Sequence, residues 1–265
     1  MFCAGAISKL PRFFVLLFLI INIFLITFIF MGCINKSASF SDVYLVEYSY
    51  NQDSVFFEAI KNSFKQSNAT ELAYLKARSG FFGACATVNN ATECFSRGNL
   101  TALETRFPSL SITQSDTSSS LSALGLVQLA TQFTGEIIHP SLPVVTLVLD
   151  TLVFFFALYS SFSFIKGSSQ AGIMMMWTAV CAFLTWSVCT IWFHVSTLVG
   201  TIFTESSSAG AVTSTVGERI KGMIWTVFTF QLIIGLLTVW STHKSSIQMA
   251  KKEADYEARE YAAKA

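Results

Sequence analysis

Four apolar runs dominate this chain, and each is long enough to cross a bilayer. Phe13 to Gly32 has no charge, and Asn22 is its only amide. Leu142 to Ile165 carries Asp150 as its sole charge. Gly172 to Phe203 is the longest and holds His194 near its far end, and Gly222 to Ser241 is the last. A helix of about 20 apolar residues spans the roughly 30 Å hydrocarbon layer. The expected fold is therefore membrane α-helical, a four-helix transmembrane bundle. Composition agrees: 52% of residues are hydrophobic, 26 are Phe and only 12% are charged, against about 25% charged in a soluble domain. A net charge of +1 offers no basic face, so no nucleic-acid partner is expected and the lipid bilayer is. A cleaved signal sequence is the alternative for the first run. That run exceeds the roughly 7–15 residues of a signal core, and Phe30-Met31 fits a lipoprotein cleavage site poorly.

The runs divide the chain into an N-terminal tail 1–12, spans 13–32, 142–165, 172–203 and 222–241, a large loop 33–141, a hairpin 166–171, a second loop 204–221 and a tail 242–265. Lys9 and Arg12 precede the first span, Lys166 lies in the hairpin, and Lys244, Lys251 and Lys252 follow the last span. The positive-inside rule puts these segments, and both termini, in the cytoplasm. Arg219 and Lys221 run against it. Glycosylation sequons at Asn68, Asn90 and Asn99 all fall in loop 33–141, which places that loop outside. Asn35 begins a further sequon close to the membrane. Cysteine placement agrees: Cys85 and Cys94 are the two well inside this loop, where an oxidising compartment would join them. Free thiols are the alternative, and zinc lacks a nearby His.

Within the loop, alternation over Asp42 to Tyr50 predicts a strand, with Val43, Leu45 and Glu47 on one face and Tyr44, Val46, Tyr48 and Tyr50 on the other. Ser54 to Phe64 predicts an amphipathic helix with Val55, Phe56, Ala59, Ile60 and Phe64 on one side. Ala77 to Val88 predicts a second strand, Asn89-Asn90 a hairpin turn, and Cys94 the returning strand. Gly80 and Gly83 around Phe81-Phe82 suggest a bulge or a close backbone approach. The loop is thus expected to be a small disulfide-stapled β-sheet domain. Thr113 to Ser122 reads as a flexible Ser/Thr stretch, and Leu124 to Ile138 as a helix leading to Pro140, Pro143 and the second span. The second loop is short and rich in Ser, Thr and Gly. The tail, with Asp255–Arg259 and Glu260–Lys264 at i,i+4 spacing, reads as a solvated helix continuing the last span.

Asp150 is the most informative residue in the spans. A carboxylate at mid-membrane costs about 2.5–3.5 kcal/mol on insertion scales and usually has a partner. Counted from the outer ends Leu142 and Phe203, Asp150 and His194 lie at similar depth, so a shared polar pocket is expected. It is read either as a cation or proton site or as interhelical glue. No metal-binding helix motif, phosphate loop or nucleophile elbow is present, so neither cofactor, metal site, catalytic residues nor enzymatic activity is expected.

Four spans, a large first loop and the element Gly80-Phe81-Phe82-Gly83-Ala84-Cys85 with Cys94 resemble the claudin-like superfamily. Animal claudins carry Trp residues in this loop, and this one has none. The chain more closely resembles the fungal factor-induced-gene-one family, described as calcium regulators and membrane fusion proteins. The motif residues Gly80, Phe81, Phe82, Gly83, Cys85 and Cys94 carry that resemblance, together with Leu126 to Pro140 ahead of the second span. It implies a plasma-membrane regulator of low-affinity calcium influx and membrane fusion in fungal mating or polarised growth, with calcium-channel subunits or self-association as candidate partners. The fungal cortical-patch family has the same layout and implies instead a structural organiser of membrane domains or cell contacts with no transport role. A pore formed by the chain itself has only Asp150 per subunit to build an acidic ring.

Overall fold

The computed structural model describes residues 2–66, 68–107, 125–161 and 168–264, without the side chains of 2–12, 168–169, 245–246, 248–253 and 255–264. The expectations for Lys9, Arg12, Lys166, Lys251, Lys252, the 113–122 stretch and the tail ion pairs fall outside the described residues or side chains. The elements run α1 (Phe2–Phe30), a single turn α2 (Ala38–Ser41), β1 (Val46–Tyr50), α3 (Phe57–Gln66), β2 (Lys76–Ser79), β3 (Gly83–Val88), β4 (Ala91–Ser96), α4 (Leu100–Arg106), α5 (Leu126–Gln132), α6 (Ser141–Ser161), α7 (Ser168–Ser207), β5 (Val212–Val216) and α8 (Glu218–Lys264). Four of the helices are long and apolar enough to span a membrane, over Phe13–Phe30, Ser141–Ser161, Gln170–Ser207 and Glu218–Lys244. The molecule is a multi-pass membrane protein.

The chain forms two compact units. The helix unit comprises residues 1–26, 142–188 and 226–265. Its core takes Val15 and Leu19 from α1, Val153 and Ala157 from α6, Met175 and Ala179 from α7, and Ile234 from α8. All four long helices thus share one apolar seam, with small alanines letting backbones approach. Helix α8 runs unbroken from Glu218 into the polar tail.

The sheet unit comprises residues 27–141 and 189–225. Its five antiparallel strands are ordered β4-β3-β2-β1-β5. The turn between β3 and β4 is Asn89-Asn90, with φ of 48° and 66°. Those positive values suit the primed turn a two-residue hairpin needs, and Asn tolerates them best after Gly. The predicted strand 77–88 is in fact two strands, because the chain reverses at Gly80 to Phe82. Strand β1 is shorter than expected, and its faces are not segregated: Tyr48 and Tyr50 are buried, and so is Glu47. Helix α3 begins after Val55 and Phe56, which are exposed at 89% and 46%. Its buried face is Phe57, Ile60 and Phe64.

Strand β5 lies in the second loop, where no strand was expected. Its β-branched run Val212-Thr213-Ser214-Thr215-Val216 suits a pleated surface. It pairs with β1 from Val46↔Val216 to Tyr50↔Val212. Asn51 extends the junction, its amide nitrogen donating to the Gly210 carbonyl at 3.0 Å and its backbone N–H to Ala211 at 2.9 Å. Burial pushes the Tyr48 and Tyr50 phenols above their ordinary pKa, so both rings act as neutral core side chains.

Candidate functional site

The Gly80 to Gly83 reversal docks onto the end of α1. Gly80 donates its N–H to the Gly83 carbonyl at 2.8 Å and closes the turn. A Cβ on Gly80 would lie 2.6 Å from the Gly32 carbonyl oxygen. A Cβ on Gly83 would overlap the Cys33 carbonyl oxygen and lie 2.8 Å from that of Phe95. The two glycines are therefore required by close backbone approach, as their flanking positions suggested. Phe81 is fully buried and meets Phe193 of α7 edge to face at 4.6 Å between centroids. Phe82 packs against Phe30 at 5.2 Å. The motif thus pins the sheet to the adjoining segments of α1 and α7 within this unit.

Cys85 and Cys94 are directly opposite in the β3–β4 ladder and form a disulfide. Cys33 is free and buried, with its thiol pushed up to about 12 by burial, Arg78 pulling weakly the other way. At that value it is an inert core residue.

A charge cluster on β1 and β2 escaped the sequence reading. Arg78 donates from Nε to Glu47 at 2.6 Å and from Nη1 to Asp42 at 3.0 Å, and its guanidinium lies over Tyr44. Lys76 adds a 3.3 Å contact to Glu47, and Arg219 reaches Asp42 at 3.4 Å. Arg219, one of the two cations that oppose the positive-inside trend, therefore has its counter-ion. The signal in the sequence was the register itself, because Glu47 and Arg78 are cross-strand partners.

Inside the helix unit, Asp150 is fully buried between two amides that are buried too. Asn22 Nδ2 donates to Asp150 Oδ2 at 2.8 Å. Gln231 Nε2 donates to both carboxylate oxygens, at 2.6 and 2.7 Å. The amide oxygens of Asn22 and Gln231 are buried without hydrogen-bond partners. Among the described residues Asp150 has no cation within salt-bridge distance. This three-helix cluster is a carboxylate held by neutral donors, with two spare oxygen acceptors beside it. His194, the partner expected from sequence, belongs to the sheet unit, where its ring meets Trp225 at 6.5 Å. Asn68, Asn90 and Asn99 are all exposed on the sheet unit. Among the described residues no group of three His, Cys, Asp or Glu is placed to hold a metal.

The family profile described as "Ca2+ regulator and membrane fusion protein Fig1" matches residues 62–245. This chain belongs to the Fig1 family. The matched stretch contains the motif, the disulfide, strand β5 and two members of the Asp150 cluster. Among curated proteins, the Factor-induced gene 1 protein of Saccharomyces cerevisiae is 28% identical over 268 residues, covering 94% of this chain and 89% of the yeast protein. The Fig1 family description is one of calcium regulation and membrane fusion.

Proposed function

We propose that this protein is a plasma-membrane regulator of low-affinity calcium influx and membrane fusion during fungal mating or polarised growth. Membership of the Fig1 family across residues 62–245 carries this reading. In the proposed topology both termini are cytoplasmic, and the sheet unit, with its disulfide and three sequons, faces outward. The chain works without enzymatic chemistry, through self-association or contact with calcium-channel subunits. Asp150 supports the calcium side of the proposal. A charge retained among neutral amides in a membrane helix costs free energy, and such residues commonly mark ion pathways or their control. The buried glycine turn and the disulfide support the fusion side by holding the sheet rigid, so that its exposed parts keep a fixed shape toward a second membrane or chain.

The test is calcium uptake and cell fusion after mating-factor treatment, compared between wild type and a deletion strain. Loss of both, restored by the intact chain, is the expected result. Normal uptake with normal fusion would instead leave a structural organiser of membrane domains or cell contacts.

A further inference from the structure

A groove in the sheet unit belongs to neither the motif nor the Asp150 cluster. It lies along the outer half of α7 and the first turns of α8, where Phe193, Thr197, Leu198, Ile220 and Ile224 form its wall. The cavity measures about 90 Å³ and is bordered by His194, Lys221 and Trp225. Leu198 and Trp225 are half exposed, at 50% and 46%. The neighbouring α7 side chains Val195, Val199, Ile202 and Phe203 are exposed and apolar as well. On a helix that spans a membrane, such a face meets lipid rather than water.

Lys221 is the feature that the fold does not explain. It occupies the first turn of α8, where the helix dipole disfavours a cation. Two residues earlier, Arg219 has Asp42; among the described residues Lys221 has no carboxylate within salt-bridge distance. A lysine near the end of a membrane helix extends its amine to the headgroup layer. Trp225 beside it is the aromatic type that favours the same depth.

We propose that this groove binds a membrane phospholipid, with one acyl chain along the apolar wall and the headgroup phosphate on Lys221. The apolar floor fits the chain, and the unmatched cation at the rim fits the phosphate. A sterol would fill the floor but leave the ammonium without a counter-charge, and free phosphate would leave the floor empty.

The test uses the full chain in detergent micelles, titrated with phosphatidylcholine, which carries the phosphate and acyl chains of an outer-leaflet phospholipid, and followed by native mass spectrometry. Lys221→Gln should weaken binding up to about fivefold, the equivalent of about 1 kcal/mol for one exposed ion pair with the phosphate. Leu198→Trp places a ring across the floor from a half-exposed position and should remove the bound lipid while leaving the thermal transition unchanged. Lys244→Gln, a lysine stacked on Trp240 outside the groove, should bind as wild type does. Unchanged binding in both groove variants would overturn the proposal. So would an equal loss in Lys244→Gln, displacement of the lipid by inorganic phosphate, or preferential retention of a sterol.

Discussion

Replacing Asp150 by Asn separates what the carboxylate does for the fold from what it does for activity. In the native cluster, two amide groups donate to the carboxylate while their own oxygens, Asn22 Oδ1 and Gln231 Oε1, go unpartnered. An amide at 150 has nearly the same shape. It keeps one oxygen to accept from Gln231 or Asn22 and gains an N–H pair for one of the spare oxygens. Satisfying a buried acceptor is worth about 1–3 kcal/mol. Removing the charge also lifts an insertion cost of about 2.5–3.5 kcal/mol for a mid-span aspartate, offset in part by the loss of charge-assisted hydrogen bonds. Asp150→Asn should therefore be no less stable than wild type, and more stable by on the order of 1–3 kcal/mol. Asp150→Ala leaves two buried N–H groups without acceptors and should fall below Asp150→Asn by at least about 2 kcal/mol. Unfolding by denaturing detergent in mixed micelles measures both. If Asp150→Asn is as destabilised as Asp150→Ala, the account of the cluster as a carboxylate strained among amides is refuted. If Asp150→Asn is stable yet calcium uptake is lost, the carboxylate is retained for its charge.

Three further outcomes follow from the sheet unit. Cys85→Ser with Cys94→Ser opens a crosslink with sequence separation 9 and should lower stability by about 2.6 kcal/mol in the chain-entropy relation, read as reduced delivery to the cell surface. Phe81→Ala empties a fully buried ring site against Phe193 and should cost about 3–5 kcal/mol, while Gly83→Ala should block folding and Gly98→Ala, whose Cβ meets nothing within 4 Å, should be silent in the same surface-delivery assay. Asn68→Gln, Asn90→Gln and Asn99→Gln should each remove one glycosidase-sensitive increment from the gel mobility of the mature protein, and no shift in any of them would contradict an outward-facing loop.

The long helices were legible because nothing but a bilayer rewards so many uninterrupted apolar residues. The hairpin was legible from Asn89-Asn90, and the close approach from Gly80 and Gly83, since local backbone geometry decides both. Strand β5 was missed because its Ser and Thr residues resemble loop composition, although Val212 and Val216 with three small polar residues between them are compatible with a half-buried strand. Asp150 was matched to His194 by counting depth from Phe203. Helix α7 continues to Ser207, and residues from 189 onward belong to the sheet unit, where Ser214 bonds the Thr201 carbonyl. The better rule was scarcity: Asn22 and Gln231 are the lone amides of their spans, and buried polar side chains in lipid seek one another. The Glu47–Arg78 pair could not be found before the register was known.

The central strand β1 has one neighbour drawn from nearby sequence and another from beyond α7. During synthesis, β1 through β4 and their disulfide can form well before residues 212–216 leave the ribosome. Until then β1 presents an open edge, the kind of template that recruits other strands. Closure of that edge requires α7 to have been made and its C-terminal end to lie on the side of the sheet, since β5 follows α7 directly. A mutation that hinders insertion of α7 should therefore leave β1 with an unclosed edge and make the chain prone to strand-mediated association.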